Sequence, residues 1–343
     1  MILRPTTSSR HQAPALGAAV AAPAIALPGW LRRAVPDAQS LAGKGLGPNA
    51  LEDVAIAAGA AIGALDALVR RRERWAGAWR QRLALAATAM TTRQAGRIED
   101  EAALRDAVLL TRPGDDVGPA GHMLLAWRRL GARPAEELLT EASVAGVLDA
   151  LGLAGDDETA NGLADELRHL AATDGTIGTM IGAFAAVETR GLPRILGCWF
   201  ADAMLAQRLG WTHAVPLLGG EALGNGSGRP RRAATVLASK SNAADPEYAK
   251  TLLAAQARAA VRAIDLFTEL ERHADKLLTA APKLRAKGAE AVVDRLLSDD
   301  ALVPSEKIAG MSDRGLRRLF DRLVDLGAVR ELSGRTAFRI YGL

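Results

Sequence analysis

From residue 49 onward the chain repeats apolar positions with a helical period. Leu51, Val54, Ala58, Ile62, Leu65 and Val69 recur three or four residues apart behind Asn49, a side chain suited to an N-cap, so a helix is predicted there. The pattern restarts through Trp75, Trp79, Leu83 and Met90, and Gly96 with the acidic run 99–101 leads into a helix over 102–110. Further helices are predicted over 120–130, 134–151, 158–171, 177–187 and 193–209, separated by Gly, Pro and Asp clusters; residues 112–119 have the composition of a loop. No strand signal interrupts them. A second long loop, 210–244, with a short helix near 233–239, precedes Asp245 and Pro246, an N-cap and a proline at the first helical position. They open the longest helix, which carries Leu253, Gln256, Ala260, Ile264, Phe267, Leu270, Ala274 and Leu277 on one face and ends near Pro282.

Beyond the basic stretch 283–288 the pattern changes. A helix over 289–298, a shorter one over 304–309 and a third from the Ser312 cap to Leu326 are followed by a strand-like alternation. Residues 329–332, a Ser333-Gly334 turn and residues 336–341 read as a hairpin, in which Leu332, Phe338 and Ile340 are expected to alternate inward against Leu316 and Phe320. This order is that of a winged helix-turn-helix. The fold class is therefore mainly α: a multi-helix N-terminal domain over 49–282 and a winged helix-turn-helix with a small β-hairpin over 283–343, behind a flexible arm over 1–48 that carries six prolines.

Composition sharpens this picture in three places. Hydrophobic residues are 49% of the 343 and aromatics only 4%, so the core is expected to be built of Ala, Leu and Val without aromatic clusters. The single cysteine, Cys198, excludes a Cys-based metal site or an intrachain disulfide, and the five histidines lack metalloprotease spacing; no metal or other cofactor is assigned. Prolines 14, 23 and 28 break the apolar stretch 13–27, so it is read as a leader in a cytoplasmic protein and not as a signal peptide. No uncharged apolar run reaches the roughly 18 residues of a spanning helix, and no membrane is expected as a partner.

The chemistry on offer is mostly basic. The net charge is only 43 − 39 = +4, so a nucleic-acid partner must be met by a local patch. In the third C-terminal helix, Leu316, Leu319, Phe320, Leu323 and Leu326 fall on one side and leave Arg314, Arg317 and Arg318 opposite, behind the Ser312 cap. That places the three arginines where a recognition helix meets base edges and phosphates, with Arg335 at the hairpin tip and Arg339 along the wing positioned for backbone or minor-groove contact. From 312 to 343 there are seven arginines against four acids, with Asp321 and Asp325 on the same outward face. A weaker phosphate site is read from Gly226, Gly228 and Arg229, whose backbone amides and guanidinium suit an anion although no Walker lysine accompanies them. Asp115 and Asp116 read as a solvated turn and Cys198 as a buried thiol. No catalytic residue is assigned.

The run Ser312-Asp313-Arg314-Gly315-Leu316-Arg317-Arg318-Leu319-Phe320, continued to Arg335, is similar to the winged helix that closes many Fic-family proteins. After residue 27 the chain resembles an uncharacterised bacterial domain-of-unknown-function family (DUF1403-like), through Leu27-Pro28-Gly29-Trp30, Trp75-Ala76-Gly77-Ala78-Trp79 and 112–121; that resemblance implies no established activity. Fic enzymes transfer nucleotidyl groups through a His-Pro-Phe-x-x-Gly-Asn-Gly-Arg motif ahead of a long helix. Residues 194–209 resemble that helix, but the preceding Glu188-Thr189-Arg190-Gly191-Leu192 supplies neither the histidine nor the glycine loop. The expected function is DNA binding and regulation: the winged helix meets double-stranded DNA, and the helical domain senses a ligand or forms a homodimer. The alternatives are a catalytically degenerate Fic-like nucleotide-binding scaffold and a protein-interaction scaffold.

Overall fold

Side chains that compete with the backbone start several helices and fix where they begin. In the computed structural model, which describes residues 27–36, 50–112, 114–153, 157–221, 246–335 and 337–343, Asp100, Thr140 and Ser312 each accept a hydrogen bond from the N–H three residues on. The helices so described are α1 (Gly29–Ala34), α2 (Ala50–Val69), α3 (Ala76–Gln94), α4 (Glu101–Leu109), α5 (Gly118–Ala132), α6 (Glu141–Ala150) and α7 (Asp157–Thr173). They continue with α8 (Thr176–Glu188), α9 (Arg194–Leu209), α10 (Pro246–Ala280), α11 (Ala289–Ser298) and α12 (Asp313–Asp325), before the short strands β1 (Arg330–Glu331) and β2 (Tyr341–Gly342). The segment predicted as one helix over 134–151 is divided, because the Thr140 cap starts α6 afresh after a 3-10 turn at Ala135–Glu137.

Small residues let the long helices approach. α2 runs along α10, and Ala57, Ala58 and Ala61 of the first and Ala257, Ala260 and Ala263 of the second are all buried. The expectation of a core without aromatic clusters is overturned. The few aromatic residues are concentrated inside, with Trp75 and Trp79 against Phe267 at ring centroid separations of 4.2 and 5.3 Å and Trp199 against Phe200 at 5.3 Å. Large rings fill the gaps that alanine leaves, and the buried Trp79 and Trp199 indoles donate to the carbonyls of Ala263 and Ala126 at 2.9 and 3.0 Å. Within the stretch expected as an arm, α1 buries Leu31 in the same core, and Arg32 forms a two-pronged ion pair with Asp265 of α10.

One buried carboxylate holds the loop after α9. Asp202, 1% exposed, accepts from the N–H groups of Leu217 and Leu218 at 2.7 and 3.0 Å, and burial raises its pKa well above the usual carboxylate range. Asp202→Ala strands two buried donors and is expected to cost about 1–3 kcal/mol. Asp202→Asn keeps an acceptor and removes the desolvated charge, so it is expected to be neutral or stabilising. With a raised folded pKa, the stability tied to protonated Asp202 is complete below the unfolded value and lost as pH rises through the folded one. Urea titrations of both variants across neutral and acidic pH check the order, and equal loss in the two would contradict it.

The C-terminal segment is sewn to the helices before it. α11 lies on α3 so closely that a Cβ on Gly77 would stand 2.8 Å from the Cα and O of Ser298. Asp300, 2% exposed, pairs with Arg82 of α3 and Arg105 of α4, the Arg105 Nε to Oδ2 distance being 2.6 Å. Leu302 bridges to Tyr341 through reciprocal backbone hydrogen bonds of 2.8 and 2.9 Å, and the Tyr341 ring stacks on Phe320 at 4.4 Å. The predicted helix over 304–309 is absent. Leu302 is committed to the bridge and Glu306 to an ion pair with Arg295 at 2.6 Å, so the stretch before the Ser312 cap forms turns.

The hairpin also differs from its prediction. Strand pairing is limited to Arg330 with Gly342 and Glu331 with Tyr341, and the Ser333 hydroxyl, bonded to Glu331 and to the N–H of Ile340, closes a longer loop. Phe338, expected inside, sits at φ +57° and is 73% exposed, so its removal is not expected to open a cavity. Ile340 takes the inward place, in a small cluster with Ala301 and Val303 against Leu109 and Leu110.

Candidate functional site

α12 owes its orientation to the face it buries. Leu316, Leu319, Phe320 and Leu323 enter the core, Ser312 receives the N–H of Gly315 at 3.2 Å, and Asp313 lies in the first turn, where the helix dipole favours an acid. The opposite face is left to solvent. Arg314, Arg317 and Arg318 are exposed on the first two turns, and none of them forms an ion pair with a carboxylate among the described residues. Asp321, Arg322 and Asp325 follow on the exposed side, ending in the half-exposed Val324 and Leu326.

The wing arginines are placed differently. Arg335 turns inward to Asp106 of α4, 2.5 Å away, and Arg339 approaches Glu331 at 3.7 Å, with a hydrogen bond to Tyr341 raising its pKa. The six C-terminal residues singled out in the sequence therefore divide into one cap, two arginines engaged by the protein and three free ones. Gly226, Gly228 and Arg229 lie outside the described residues. A basic influence that the sequence did not suggest acts on His273 of α10, whose imidazole pKa is lowered first by burial and then by Arg330, Lys276 and Arg272, against an opposing Glu269. No local signal could reveal it, because Arg330 comes from the distant strand β1.

The other candidates have structural partners. The Asp116 carboxylate accepts from the N–H of Gly118 and contacts His122 Nε2, both at 2.8 Å, which is a turn and helix-start arrangement. Among the described residues no group of three or more His, Cys, Asp or Glu is set to hold a metal ion. Cys198 is buried and its thiol pKa is pushed up by that burial, which suits an inert side chain. At the start of α9, Arg194 lies over the rings of Phe184 and Tyr248 at 5.4 and 5.5 Å. No helix among the described residues is long and apolar enough to cross a membrane.

Comparison with known proteins adds a family without a chemistry. The family model described as "Protein of unknown function (DUF1403)" matches residues 20–343. No curated protein matches the chain.

Proposed function

The chain belongs to the DUF1403 family, whose description names no activity, and we propose from its own residues that it is a regulatory protein that binds double-stranded DNA through α12. The carrying observation is the solvent-facing Arg314, Arg317 and Arg318 on a capped helix whose other face is locked into the core. Unpaired guanidiniums on an exposed helix pay no cost to leave an acid before meeting phosphates or guanine edges. In this reading the order α11, Leu302 bridge, α12, β1, β2 is a winged helix whose middle helix is reduced to turns. The protein acts in the cytoplasm, and the preceding helices sense a ligand or join two copies.

The pairing of Arg335 with Asp106 narrows the interface to α12. Anisotropy titrations of labelled mixed-sequence duplexes against the full chain, at several salt concentrations, test this. Replacing Arg314, Arg317 and Arg318 together by Ala is expected to lower the salt slope by about one unit for each phosphate contact removed. Arg318→Ala alone is expected to cost roughly 1–3 kcal/mol and to relax sequence preference. Arg335→Ala is expected to leave duplex affinity unchanged. Salt-insensitive binding, or an unaltered triple variant, would transfer α12 to the scaffold reading.

A further inference from the structure

A cavity of about 540 Å³ opens between the loop that joins α2 to α3, the end of α5, the loop after α9 and the end of α11. Its volume lies in the range of small-molecule sites. The deep wall is apolar and aromatic, made by Trp79, Trp211, Phe267 and Val215. The indole N–H groups of both tryptophans are already used, Trp79 on the Ala263 carbonyl and Trp211 on Asp66 at 2.8 Å, so this wall offers ring and aliphatic surface.

The charges around it do not cancel. Four arginines line the cavity with two acids, but Arg70 is held by Asp66 at 2.8 Å and Arg74 by Asp294 at 2.9 Å. The acids are also committed, Glu73 to Arg71 at 2.9 Å and Asp299 to Arg295 at 2.7 Å. Arg72 and Arg80 remain without a carboxylate among the described residues; Arg80 gives its Nε to the Gly131 carbonyl at 2.7 Å. Burial pulls Arg80 down to about 10, which still leaves it a cation at neutral pH. Burial, followed by Arg80, lowers His213, which keeps that imidazole neutral.

Three further features face the same space. α3 begins at the cavity with Trp75 as its N-cap, a residue that forms no side-chain cap, so the positive end of a 19-residue helix has no side-chain acceptor there. Gln81 lines the cavity at 9% exposure, and its Oε1 has no hydrogen-bond partner. Arg72 itself sits at φ +51°, a left-handed position that is costly for a residue with a Cβ. Strain retained in an unpaired arginine beside a cavity is the pattern of a residue held for a ligand.

We infer that this cavity binds a small organic anion, a carboxylate or phosphate carried on an aromatic or aliphatic body, with the acid group between Arg72, Arg80 and the start of α3 and the body against Trp79, Trp211 and Phe267. It shares no residue with the exposed face of α12 and stands whether or not the chain binds DNA.

Anilinonaphthalene sulfonate, an aromatic anion that fluoresces when shielded from water, is the probe, used with the full chain. One saturable site is expected, with displacement by naphthoate or by naphthyl phosphate; the better competitor identifies the acid group. Arg72→Gly removes the guanidinium and releases the left-handed strain, so affinity is expected to fall about tenfold, one charge-assisted hydrogen bond's worth, while Tm does not fall. Arg72→Lys, which keeps the charge, is expected to retain most of the binding. Ala132→Trp at the exposed rim is expected to block the probe. The assignment is overturned if neutral phenylnaphthylamine binds as tightly as the sulfonate, if neither competitor displaces it, or if Arg72→Gly and Ala132→Trp both bind it as the parent does.

Discussion

Asp300→Ala is expected to remove about 3–5 kcal/mol of stability, the loss found when one member of a buried ion pair is deleted. The reason is the company left behind. Arg82 and Arg105 both reach the Asp300 carboxylate, Arg128 lies close enough to feel its charge, and the Arg128 Nε is already buried without a hydrogen-bond partner. Removing this buried acid leaves mutually repelling guanidiniums away from water at the seam between α3, α4 and the C-terminal segment, with only the more exposed Glu101, 3.8 Å from Arg105, and Asp299 to offset them. Burial pushes the Asp300 pKa up, but Arg82 and Arg105 outweigh it and hold it below the ordinary carboxylate value. With the folded pKa depressed, this stabilisation is complete above the unfolded value of about 3.9 and is lost as pH falls through the folded one. Urea unfolding of the parent at decreasing pH should therefore show the seam weakening in acid, and Asp300→Ala should show a smaller acid dependence. A variant within about 1 kcal/mol of the parent would mean that the seam relaxes and admits water.

What the sequence makes legible here is local and periodic. The Ser312 cap, the stripe of α12 as far as Leu323 and the long run of α10 are read correctly because cap and stripe lie within a few residues of each other, whereas Leu326, assigned to the same stripe, is the exposed C-cap. The parts that were missed depend on residues far apart in the chain. Arg335 and Asp106 carry no local sign that they meet, and neither do Arg105 and Asp300, separated by 195 positions. Residues 304–309 have the pattern of a helix, yet the Leu302 bridge and the Glu306 ion pair compete for the same backbone and side chain. Strand alternation turns Phe338 inward, but alternation holds only while a strand continues, and strand pairing involves just two residues on each side. The free arginines of α12 are visible in the sequence; the cavity beside Arg72 and Arg80 is not, since five separate segments build it.

Phe267→Ala should be comparably damaging, at about 3–5 kcal/mol, because it empties the point where three aromatic rings and a cation converge. Trp75 leans on this ring at 53° and Trp79 meets it edge-on at 86°, while the Arg71 guanidinium lies 5.4 Å from its centroid. Arg71 cannot follow the lost ring inward, since Glu73 at 2.9 Å and Glu271 at 2.5 Å hold it. Trp79 is restrained as well by its hydrogen bond to Ala263, so the void should persist instead of collapsing. Phe267→Leu retains most of the volume without the ring faces and is expected to cost less than about 1.5 kcal/mol plus roughly 0.5–1.5 kcal/mol for each lost aromatic contact. Thermal and urea unfolding of the two variants separate volume from ring chemistry: a large gap between Ala and Leu assigns the loss to the void, and near-equal losses assign it to the rings. Because Phe267 also walls the cavity beside Arg80, a persistent void should widen that cavity, and the Ala variant should bind the sulfonate probe more weakly, through Trp79 and Trp211, at temperatures where it remains folded. Loss of probe binding in a folded Ala variant would show instead that Trp79 had moved into the space, and the stability penalty would then be the smaller one of a collapsed site.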